Sequence, residues 1–533
     1  MTSRSLLTFA RALGGLHGWR RNLVAYLLGV CATLTLAPFY LFGLLLVSFS
    51  GLLWLLDAAP SRRRMFLDGW WWGWGFYMSG LYWMCIALLT DPAKFGWLIP
   101  PTLLGLNGVI ALYPAVACWL MSWLRVRGLS KILVFTIVWT LVEYARGHLF
   151  TGFPWNLPGY AFGFSNAALQ MASLVGVYGL SWFALLLATT PVALGAKKAG
   201  KIYAASLWAL FLFGLFWGVG RLHQANSIPQ AQRYVPGVTL RLVQADIAQP
   251  DKWDPQLQLQ GVREHAALTR LPGLEKVTHV IWPETAVPYT IGKDEPITRS
   301  LGGIIPPGAI LITGSLRSEG DKENWRIWNS LSALDHDGNI VGSYDKAHLV
   351  PFGEFLPFRY VFPKEWLTPV GDTDFSAGTQ GKLMELPGLP PMLPLICYEA
   401  IFPELVVDGP KRPQWLLSVT NDAWFGMSTG PHQHFEMARM RAVEQGVPLV
   451  RSGNTGISAV VDSWGQVISF MPLGYKGIID SSLPVAQAEN TTCNKINKIF
   501  IPFLIIFALI LIFRKKSGVI INKIACKLCA AGK

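Results

Sequence analysis

The sequence predicts a membrane α-helical bundle of eight spans together with one extracytoplasmic domain of mixed α/β structure. Of its 533 residues, 52% are hydrophobic and only 14% are charged, whereas a soluble protein carries roughly 25% charged residues. The apolar residues are concentrated before about residue 220 and again near residue 500, and a more polar stretch separates them. This distribution indicates a membrane protein whose large soluble domain lies between two membrane-spanning parts.

Eight apolar runs are long enough to cross about 30 Å of hydrocarbon. They lie at residues 23–37, 39–56, 66–89, 99–124, 132–150, 167–195, 202–220 and 499–513. The basic residues cluster beside these runs, at Arg20 and Arg21, Arg62 to Arg64, Arg125 with Arg127 and Lys131, Lys197 with Lys198 and Lys201, and Arg514 to Lys516. With a cytoplasmic N-terminus, the clusters after the second, fourth, sixth and eighth runs all face the cytoplasm, as the positive-inside rule requires.

This topology predicts three parts: a bundle of seven transmembrane helices over residues 1–221, a soluble domain outside the cytoplasm over 222–487, and an eighth helix with a basic cytoplasmic tail over 488–533. A cleaved signal peptide is the competing interpretation of the first run, but a second apolar run follows Pro38 without a clear small-residue cleavage site. We therefore expect the first span to be retained.

The net charge of +13 raises the possibility of a nucleic-acid partner. Such binding needs a basic stripe interleaved with aromatic residues on a polar domain. The excess charge lies instead in the clusters beside the spans, so no nucleic-acid partner is expected.

Between residues 221 and 487 the pattern changes to short β-branched runs separated by turns, which predict strands. The predicted strands are Val238 to Val243, His279 to Trp282, Ala309 to Thr313, Ile340 to Tyr344, Leu395 to Cys397 and Trp415 to Val419. Two stretches with helical spacing, Gln256 to Leu271 and His432 to Gln445, lie between them. The domain is therefore predicted to alternate sheet and helix.

One cysteine, Cys397, lies inside this polar domain. The other six are in or beside the apolar runs, at Cys31, Cys85, Cys118, Cys493, Cys526 and Cys529. An arbitrary lone cysteine is more often an inert core residue than a nucleophile. Here an apolar run from Leu393 ends at the cysteine and turns polar, which predicts a strand-to-turn corner that lowers the thiol pKa and offers backbone N–H groups to an oxyanion.

Two further predicted strands end in an ionisable residue: Glu284 in Trp282-Pro283-Glu284, and Lys346 in Tyr344-Asp345-Lys346. A carboxylate can take a thiol proton and later activate an amine, while an ammonium group can stabilise negative charge on an acyl oxygen. Taken singly, either residue would more often be a solvated surface charge.

Together these segments resemble the nitrilase superfamily over residues 238–482, which implies an α-β-β-α sandwich with the three groups at separate strand ends. Placed between a seventh and an eighth membrane span, the domain is similar to that of the apolipoprotein N-acyltransferase family. The resemblance implies Glu284 as general base, Lys346 as the oxyanion-stabilising cation and Cys397 as nucleophile. It further implies supporting or substrate-binding roles for Trp253, Glu354, Tyr398 and Glu399, although Trp253 could equally be an exposed loop aromatic.

The resemblance also implies a reaction. An acyl chain passes from a membrane phospholipid, phosphatidylethanolamine in the family, through a thioester on Cys397 to the amine of an apolipoprotein's diacylglyceryl cysteine. No metal or cofactor is expected, and the expected state is a monomer in the bacterial cytoplasmic (inner) membrane with the catalytic domain facing the periplasm.

Three alternatives stay open from the residues alone. A membrane-tethered amidase of small amides would use the same three residues and pass the thioester to water, but one span would tether it adequately. A transporter or scaffold would need the domain only for binding, and the few charged residues within the spans give an ion pathway little support. The spacing of Cys526 and Cys529 is a weak metal signal in a tail predicted to be cytoplasmic and loosely ordered.

Overall fold

The computed structural model describes residues 3–124, 126–195, 198–291, 295–321, 324–357, 374–404, 407, 411–494, 496 and 499–512. The chain forms two compact units. The first comprises Met1–Tyr82, Pro100–Trp217 and Thr492–Lys533, and the second comprises Trp83–Ile99 and Gly218–Thr491. The predicted tail with Cys526 and Cys529, and the basic residues Arg125, Lys197 and Arg514 to Lys516, lie outside the described residues.

The helices are α1 Ser3–Gly14, α2 Gly18–Thr33, α3 Leu44–Asp57, α4 Arg62–Leu81, α5 Pro92–Phe95, α6 Asn107–Ile110, α7 Leu112–Met121, α8 Leu129–His148, α9 Asn166–Leu169, α10 Ala172–Ala188, α11 Thr190–Leu194, α12 Lys198–Ser227, α13 Gln249–Trp253, α14 Gln258–Thr269, α15 Glu295–Gly302, α16 Gly430–Gln445 and α17 Ile499–Ile512. Short 3₁₀ helices include Tyr82–Thr90, Pro158–Phe164, Cys397–Ile401 and Asp422–Phe425.

Among the described residues, three helical stretches are long and apolar enough to cross a membrane: Pro92–Met121, Ala172–Leu194 and Lys198–Ser227. Helices α3 and α17 are shorter and apolar. Helices α2, α4 and α8 lie on the remaining predicted spans and carry charged residues. The predicted apolar helices are therefore confirmed in part, whereas the count of eight spans stays a prediction.

Close packing in the first unit depends on small residues where α2 and α4 cross. A Cβ atom added at Gly29 would overlap the Trp72 carbonyl, and one added at Gly75 would overlap the Tyr26 carbonyl. Glycines at such a crossing let two helix backbones approach closely. The same helix pair buries the ion pair of Arg21 and Asp68, whose Nη2 and Oδ2 atoms are 2.7 Å apart.

The predicted third span, residues 66–89, is α-helical only as far as Leu81 and continues as the 3₁₀ helix Tyr82–Thr90. The segment Trp83–Ile99 belongs to the second unit. There the Trp83 ring lies 4.4 Å from that of Phe425, and its Nε1 donates to Gln433 Oε1 at 3.3 Å. Apolar composition did not reveal this change because it suits a buried protein contact as well as a membrane. The predicted boundaries at 221 and 487 stay predictions.

The second unit contains two β-sheets. Their strands are β1 Tyr234–Gln244, β2 His279–Ile281, β3 Val287–Thr290, β4 Ile310–Glu319, β5 Arg326–Leu334, β6 Ile340–Asp345, β7 Met392–Ile396, β8 Trp415–Thr420, β9 Leu449–Gly453, β10 Ser458–Val461, β11 Val467–Met471 and β12 Gly477–Pro484. The first sheet has the order β12-β1-β2-β4-β5-β6 with β3 paired to β4, and the second has the order β11-β10-β9-β8-β7. All six predicted strands and both predicted helices of this domain are confirmed.

The apolar side chains divide into layers. The central cluster takes residues from both sheets, for example Leu242 and Ile312 from the first and Ile396 and Val450 from the second. Alanines and aliphatic residues of α14 and α15 pack on the outer face of the first sheet, and those of α16 pack on the outer face of the second. Alternate residues of a strand face opposite sides of its sheet, so each sheet contributes to the central cluster and to a layer beneath helices. The result is an α-β-β-α sandwich.

Candidate active site

Three strand ends bring ionisable residues to one region of the sandwich. Glu284 follows β2, Lys346 follows β6, and Cys397 follows β7. The side chains are almost withdrawn from solvent, with relative exposures of 6% for Glu284, 1% for Lys346 and 7% for Cys397. Charged residues are almost never buried to this degree unless they are paired, so their partners define the chemistry.

The Glu284 carboxylate is held from both sheets. Its Oε1 accepts a hydrogen bond from Asn329 Nδ2 at 2.7 Å, and its Oε2 accepts one from the Asn421 backbone N–H at 2.8 Å. Asn329 lies on β5 of the first sheet, and Asn421 directly follows β8 of the second. These two hydrogen bonds fix the position of the carboxylate between the two sheets.

Lys346 lies between two carboxylates. Its Nζ donates to Glu354 Oε1 at 2.8 Å and lies 3.6 Å from Glu284 Oε1. Although burial alone lowers the pKa of Lys346, the charges of Glu354 and Glu284 raise it above its ordinary value on balance. Lys346 therefore stays an ammonium group. An ammonium group has three protons to donate, so the bond to Glu354 leaves capacity for a further acceptor.

Asn329 joins the two carboxylates. Its Nδ2 donates to Glu284 Oε1 and also to Glu354 Oε1, at 2.7 and 2.9 Å. Glu354 is further fixed through Oε2 by the Val350 backbone N–H at 2.9 Å. One neutral amide thus keeps two negative groups at a fixed separation around the cation Lys346.

Cys397 occupies the corner that the sequence predicts, since β7 ends at Ile396 and a 3₁₀ helix begins at Cys397. Its φ of 52° lies in the left-handed region, which is uncommon for a residue other than glycine. The predicted pKa direction is wrong. Burial raises the pKa of the Cys397 thiol, and the charge of Glu284 raises it further, while Lys346 acts against both. The resting group is therefore a neutral thiol.

The buried carboxylate of Glu399 fastens the cysteine corner to the lysine segment. Its Oε2 accepts from the Ile396 backbone N–H at 2.7 Å. Its Oε1 accepts three hydrogen bonds, from Tyr344 Oη at 2.9 Å, the Ala347 N–H at 2.8 Å and the His348 N–H at 3.1 Å. Burial nonetheless raises the pKa of Glu399 above its ordinary value.

Tyr398 and Trp253 surround the site differently. The buried Tyr398 ring packs at 5.2 Å from Phe402 and at 6.1 Å from His348. Tyr398 therefore packs among aromatic rings next to the corner at Cys397. Trp253 is half-buried at the end of α13, directly after the buried Lys252. Its role in binding substrate stays a prediction.

Two residues of the site, Lys252 and Asn329, were not predicted from the sequence. Lys252 is buried, and its Nζ donates to the Glu284 backbone carbonyl at 2.7 Å. Burial lowers the pKa of Lys252 to about 8, although Glu284 and Cys397 act in the opposite direction. Lys252 precedes Trp253, for which the family resemblance implies a role, but β5 was not predicted and gave no signal for Asn329.

The assembled groups are suited to acyl transfer through a covalent intermediate. They comprise a thiol, a carboxylate fixed by two hydrogen bonds, and an ammonium group with hydrogen-bonding capacity. Within the part of the chain that the structure describes, no group of three or more His, Cys, Asp or Glu residues is arranged to hold a metal ion.

Two family models match the sequence. Residues 28–190 match "Apolipoprotein N-acyltransferase N-terminal domain", and residues 239–492 match "Carbon-nitrogen hydrolase". Among curated proteins, the apolipoprotein N-acyltransferase of Rhodopseudomonas palustris is 36% identical over 509 residues, which covers 92% of this chain and 94% of that protein. The apolipoprotein N-acyltransferase of Bradyrhizobium diazoefficiens is 38% identical over 492 residues, which covers 88% and 90%.

Solved structures similar to about half of this chain include an amidase variant and a carbon-nitrogen hydrolase. A variant of an amidase of the nitrilase superfamily from Nesterenkonia is 19% identical with a TM-score of 0.35, and covers 48% of this chain and 93% of its own. A carbon-nitrogen hydrolase from Helicobacter pylori is 15% identical with a TM-score of 0.34, and covers 50% and 94%.

Proposed function

This chain belongs to the apolipoprotein N-acyltransferase family, and from that premise we propose that it N-acylates lipoproteins by a ping-pong reaction through Cys397. The acyl donor is a membrane phospholipid, phosphatidylethanolamine by family resemblance. The acceptor is the α-amine of the diacylglyceryl cysteine at the start of an apolipoprotein. The single observation that carries the proposal is one buried network, in which Lys346 contacts the Glu284 carboxylate and Glu399 joins the segment after Lys346 to the corner at Cys397.

In the first half-reaction the Cys397 sulfur attacks the ester carbonyl of the phospholipid while Glu284 takes the thiol proton. The new C–S bond turns the carbonyl into a tetrahedral oxyanion, which Lys346 stabilises. The C–O bond to the glycerol then breaks, and Glu284 returns the proton to the departing oxygen. A lysophospholipid leaves, and a thioester remains on Cys397.

In the second half-reaction the neutral amine of the apolipoprotein attacks the thioester carbonyl. Glu284 takes a proton from the attacking nitrogen, and Lys346 stabilises the second oxyanion. The C–S bond breaks, the proton passes to the sulfur, and the product is an amide. The same three residues thus serve both steps, and the thiol is restored.

The raised pKa of the Cys397 thiol supports Glu284 as the general base. A neutral thiol is a weak nucleophile, since the thiolate is the reactive form. A base must therefore remove the proton during attack. Lys346, which stays charged beside Glu354, is suited to hold the oxyanion and not to accept the proton.

A phospholipid donor agrees with the chain being a membrane protein. A site held at a bilayer meets lipid esters at high local concentration. Basic clusters beside the spans favour a catalytic domain outside the cytoplasm. We propose a multi-pass protein of the bacterial inner membrane with this domain in the periplasm, active as a monomer.

The first test is intact-mass analysis of the purified protein after incubation with phosphatidylethanolamine vesicles. The wild-type protein should gain the mass of one acyl chain, and Cys397→Ala should gain none. Cys31→Ala is the matched control, because Cys31 lies on α2 of the first unit, and it should be acylated like the wild-type protein. An adduct that persists in Cys397→Ala would contradict the assignment.

The second test follows a labelled acyl chain from phospholipid to a diacylated lipopeptide. Transfer that depends on Cys397 is expected. An amidase would instead release ammonia from small amides without consuming lipid, and a transporter or scaffold would show neither activity. Each of those results would overturn the proposed function.

A further inference from the structure

A buried histidine of α16 contacts the backbone carbonyl of the proposed nucleophile, Cys397. His434 lies on α16 with a side chain 1% exposed. Its ring nitrogen Nε2 is 3.1 Å from the carbonyl oxygen of Cys397. A carbonyl oxygen can only accept, so this contact is a hydrogen bond when Nε2 carries a proton.

The other side of the ring is fixed by a buried ion pair. His434 Nδ1 lies 2.9 Å from Asp422 Oδ1, and Asp422 Oδ2 lies 2.8 Å from Arg451 Nη2. The Thr420 hydroxyl also donates to Asp422 Oδ1, at 2.9 Å. Although burial alone raises the pKa of Asp422, Arg451 and His434 lower it below its ordinary value on balance. Asp422 is therefore a carboxylate that orients the ring.

The Asp422 carboxylate can only accept, so its contact with Nδ1 is a hydrogen bond when Nδ1 carries a proton. With both ring nitrogens protonated, Nδ1 donates to Asp422 and Nε2 donates to the Cys397 carbonyl.

The contact bears on a strained part of the site. A residue other than glycine in a sparsely populated backbone region costs about 1–3 kcal/mol and persists only when its surroundings hold it there. At Cys397, where φ is 52°, the Ile396 N–H is held by Glu399 on one side. The Cys397 carbonyl is held by His434 on the other side.

We propose that His434, oriented by Asp422, is a positioning residue that holds the left-handed backbone of Cys397 and so aims its sulfur. This inference rests on the proposed function, because it assumes that Cys397 is the nucleophile. His434 acts on the backbone and takes no part in the proton transfers assigned to Glu284. Its loss should slow both half-reactions and leave lipid binding unchanged.

Two amide substitutions separate positioning from packing. The Nε2 of glutamine in His434→Gln can replace the imidazole Nε2 and still donate to the Cys397 carbonyl. The Nδ2 of asparagine in His434→Asn reaches only the position of Nδ1 and cannot. We expect the rate constant for acyl-enzyme formation to fall about 10- to 100-fold in His434→Asn, as loss of a hydrogen bond to a strained group implies. It should stay within about 3-fold of wild type in His434→Gln.

The assay measures the acylation rate at several phosphatidylethanolamine concentrations, so that the rate constant and half-saturation are separated. Iodoacetamide alkylation of Cys397, located by peptide mass, is measured in parallel because it needs no lipid. The alkylation rate should also be much lower in His434→Asn than in His434→Gln. If the wild-type protein is alkylated but never acylated, the proposed function fails and not this inference. His432→Asn is the control, since residues two apart lie about 200° apart around a helix.

Equal rates in His434→Gln and His434→Asn, whether both low or both near wild type, would overturn the proposal. A change confined to half-saturation would do the same. If both variants unfold, a structure of the alkylated wild-type protein provides the test. An experimental structure with Cys397 alkylated should keep Nε2 within hydrogen-bonding distance of the Cys397 carbonyl, and a separation above about 4 Å would refute the inference.

Discussion

Replacing Asn329 with aspartate keeps the size of the side chain and exchanges its NH₂ donor for an oxygen. In the wild-type protein Nδ2 donates to Glu284 Oε1 at 2.7 Å and to Glu354 Oε1 at 2.9 Å. An ionised aspartate in place of Asn329 would lose both hydrogen bonds and add a third negative charge around Lys346. Hydrogen bonds to charged groups contribute about 1.5–3 kcal/mol each, so the ionised form loses roughly 3–6 kcal/mol before repulsion is counted.

The aspartate of the Asn329→Asp variant should therefore hold a proton. An aspartic acid hydroxyl can donate to one carboxylate, which limits the loss to one hydrogen bond, or about 1.5–3 kcal/mol. If this loss is expressed in the transition state, acyl-enzyme formation by Asn329→Asp slows about 10- to 150-fold. As the pH rises and the proton is lost, the second hydrogen bond disappears. The ratio of variant to wild-type rate should then fall between about pH 6 and about pH 9.

The assay is intact-mass measurement of acyl-enzyme formation from phosphatidylethanolamine at each pH. Asn324→Asp is the matched control, because it adds the same charge at an exposed residue just before β5. It should follow the wild-type rate at every pH. A rate ratio for Asn329→Asp that is constant with pH, or a slowing no larger than that of Asn324→Asp, would refute the role given to Asn329.

Three further predictions concern the support of the site and its pH dependence. In Gly314→Ala the new Cβ would overlap the Thr285 backbone nitrogen and lie 2.5 Å from the Pro283 carbonyl oxygen and 2.6 Å from the Glu284 Cα. Displacing Glu284, the proposed base, should slow acyl-enzyme formation about 100-fold, and near-normal kinetics would contradict the packing argument. In Glu399→Gln an NH₂ group faces the Ile396 N–H, from which Oε2 accepts in the wild-type protein. Losing this hydrogen bond should reduce the free energy of unfolding by about 1–3 kcal/mol and lower the unfolding temperature. An unchanged temperature would show that this contact contributes little. Burial lowers the pKa of His265 to about 4, so the unfolded chain takes up a proton below about pH 6.5 that the folded one does not. Stability should thus be complete above that pH and fall by up to about 1.4 kcal/mol per pH unit towards pH 4; thermal unfolding of His265→Phe should show a weaker decline, and an equal decline would assign it to other groups.

The strand ends were predictable from the sequence because apolar β-branched runs stop at Glu284, Lys346 and Cys397. Strand β5 was not predictable. Its residues from Trp328 to Leu334 are buried on both faces, yet Asn329, Ser330 and Ser332 interrupt any apolar run. Because the polar side chains of β5 make hydrogen bonds inside the sandwich, its sequence resembles that of a loop.

The thiol pKa could not be obtained from the sequence for a related reason. The corner at Cys397 was predicted correctly, but the pKa of its thiol depends on what surrounds it in three dimensions. Glu284 comes from the other sheet, and its charge adds to the effect of burial. A strand-to-turn corner alone would act in the opposite direction.

The raised pKa also explains how one unpaired cysteine can serve in the oxidising compartment proposed for this domain. Oxidation and disulfide exchange proceed through the thiolate, and burial beside Glu284 keeps Cys397 in the thiol form. In the proposed mechanism the sulfur becomes reactive only when an ester carbonyl is placed so that Glu284 can take the proton during attack. In this mechanism the negative charge of Glu284 therefore protects the resting thiol and activates it in the complex. Replacing Glu284 with glutamine should slow acylation but speed oxidation of the thiol by peroxide, because it removes a charge that raises the thiol pKa.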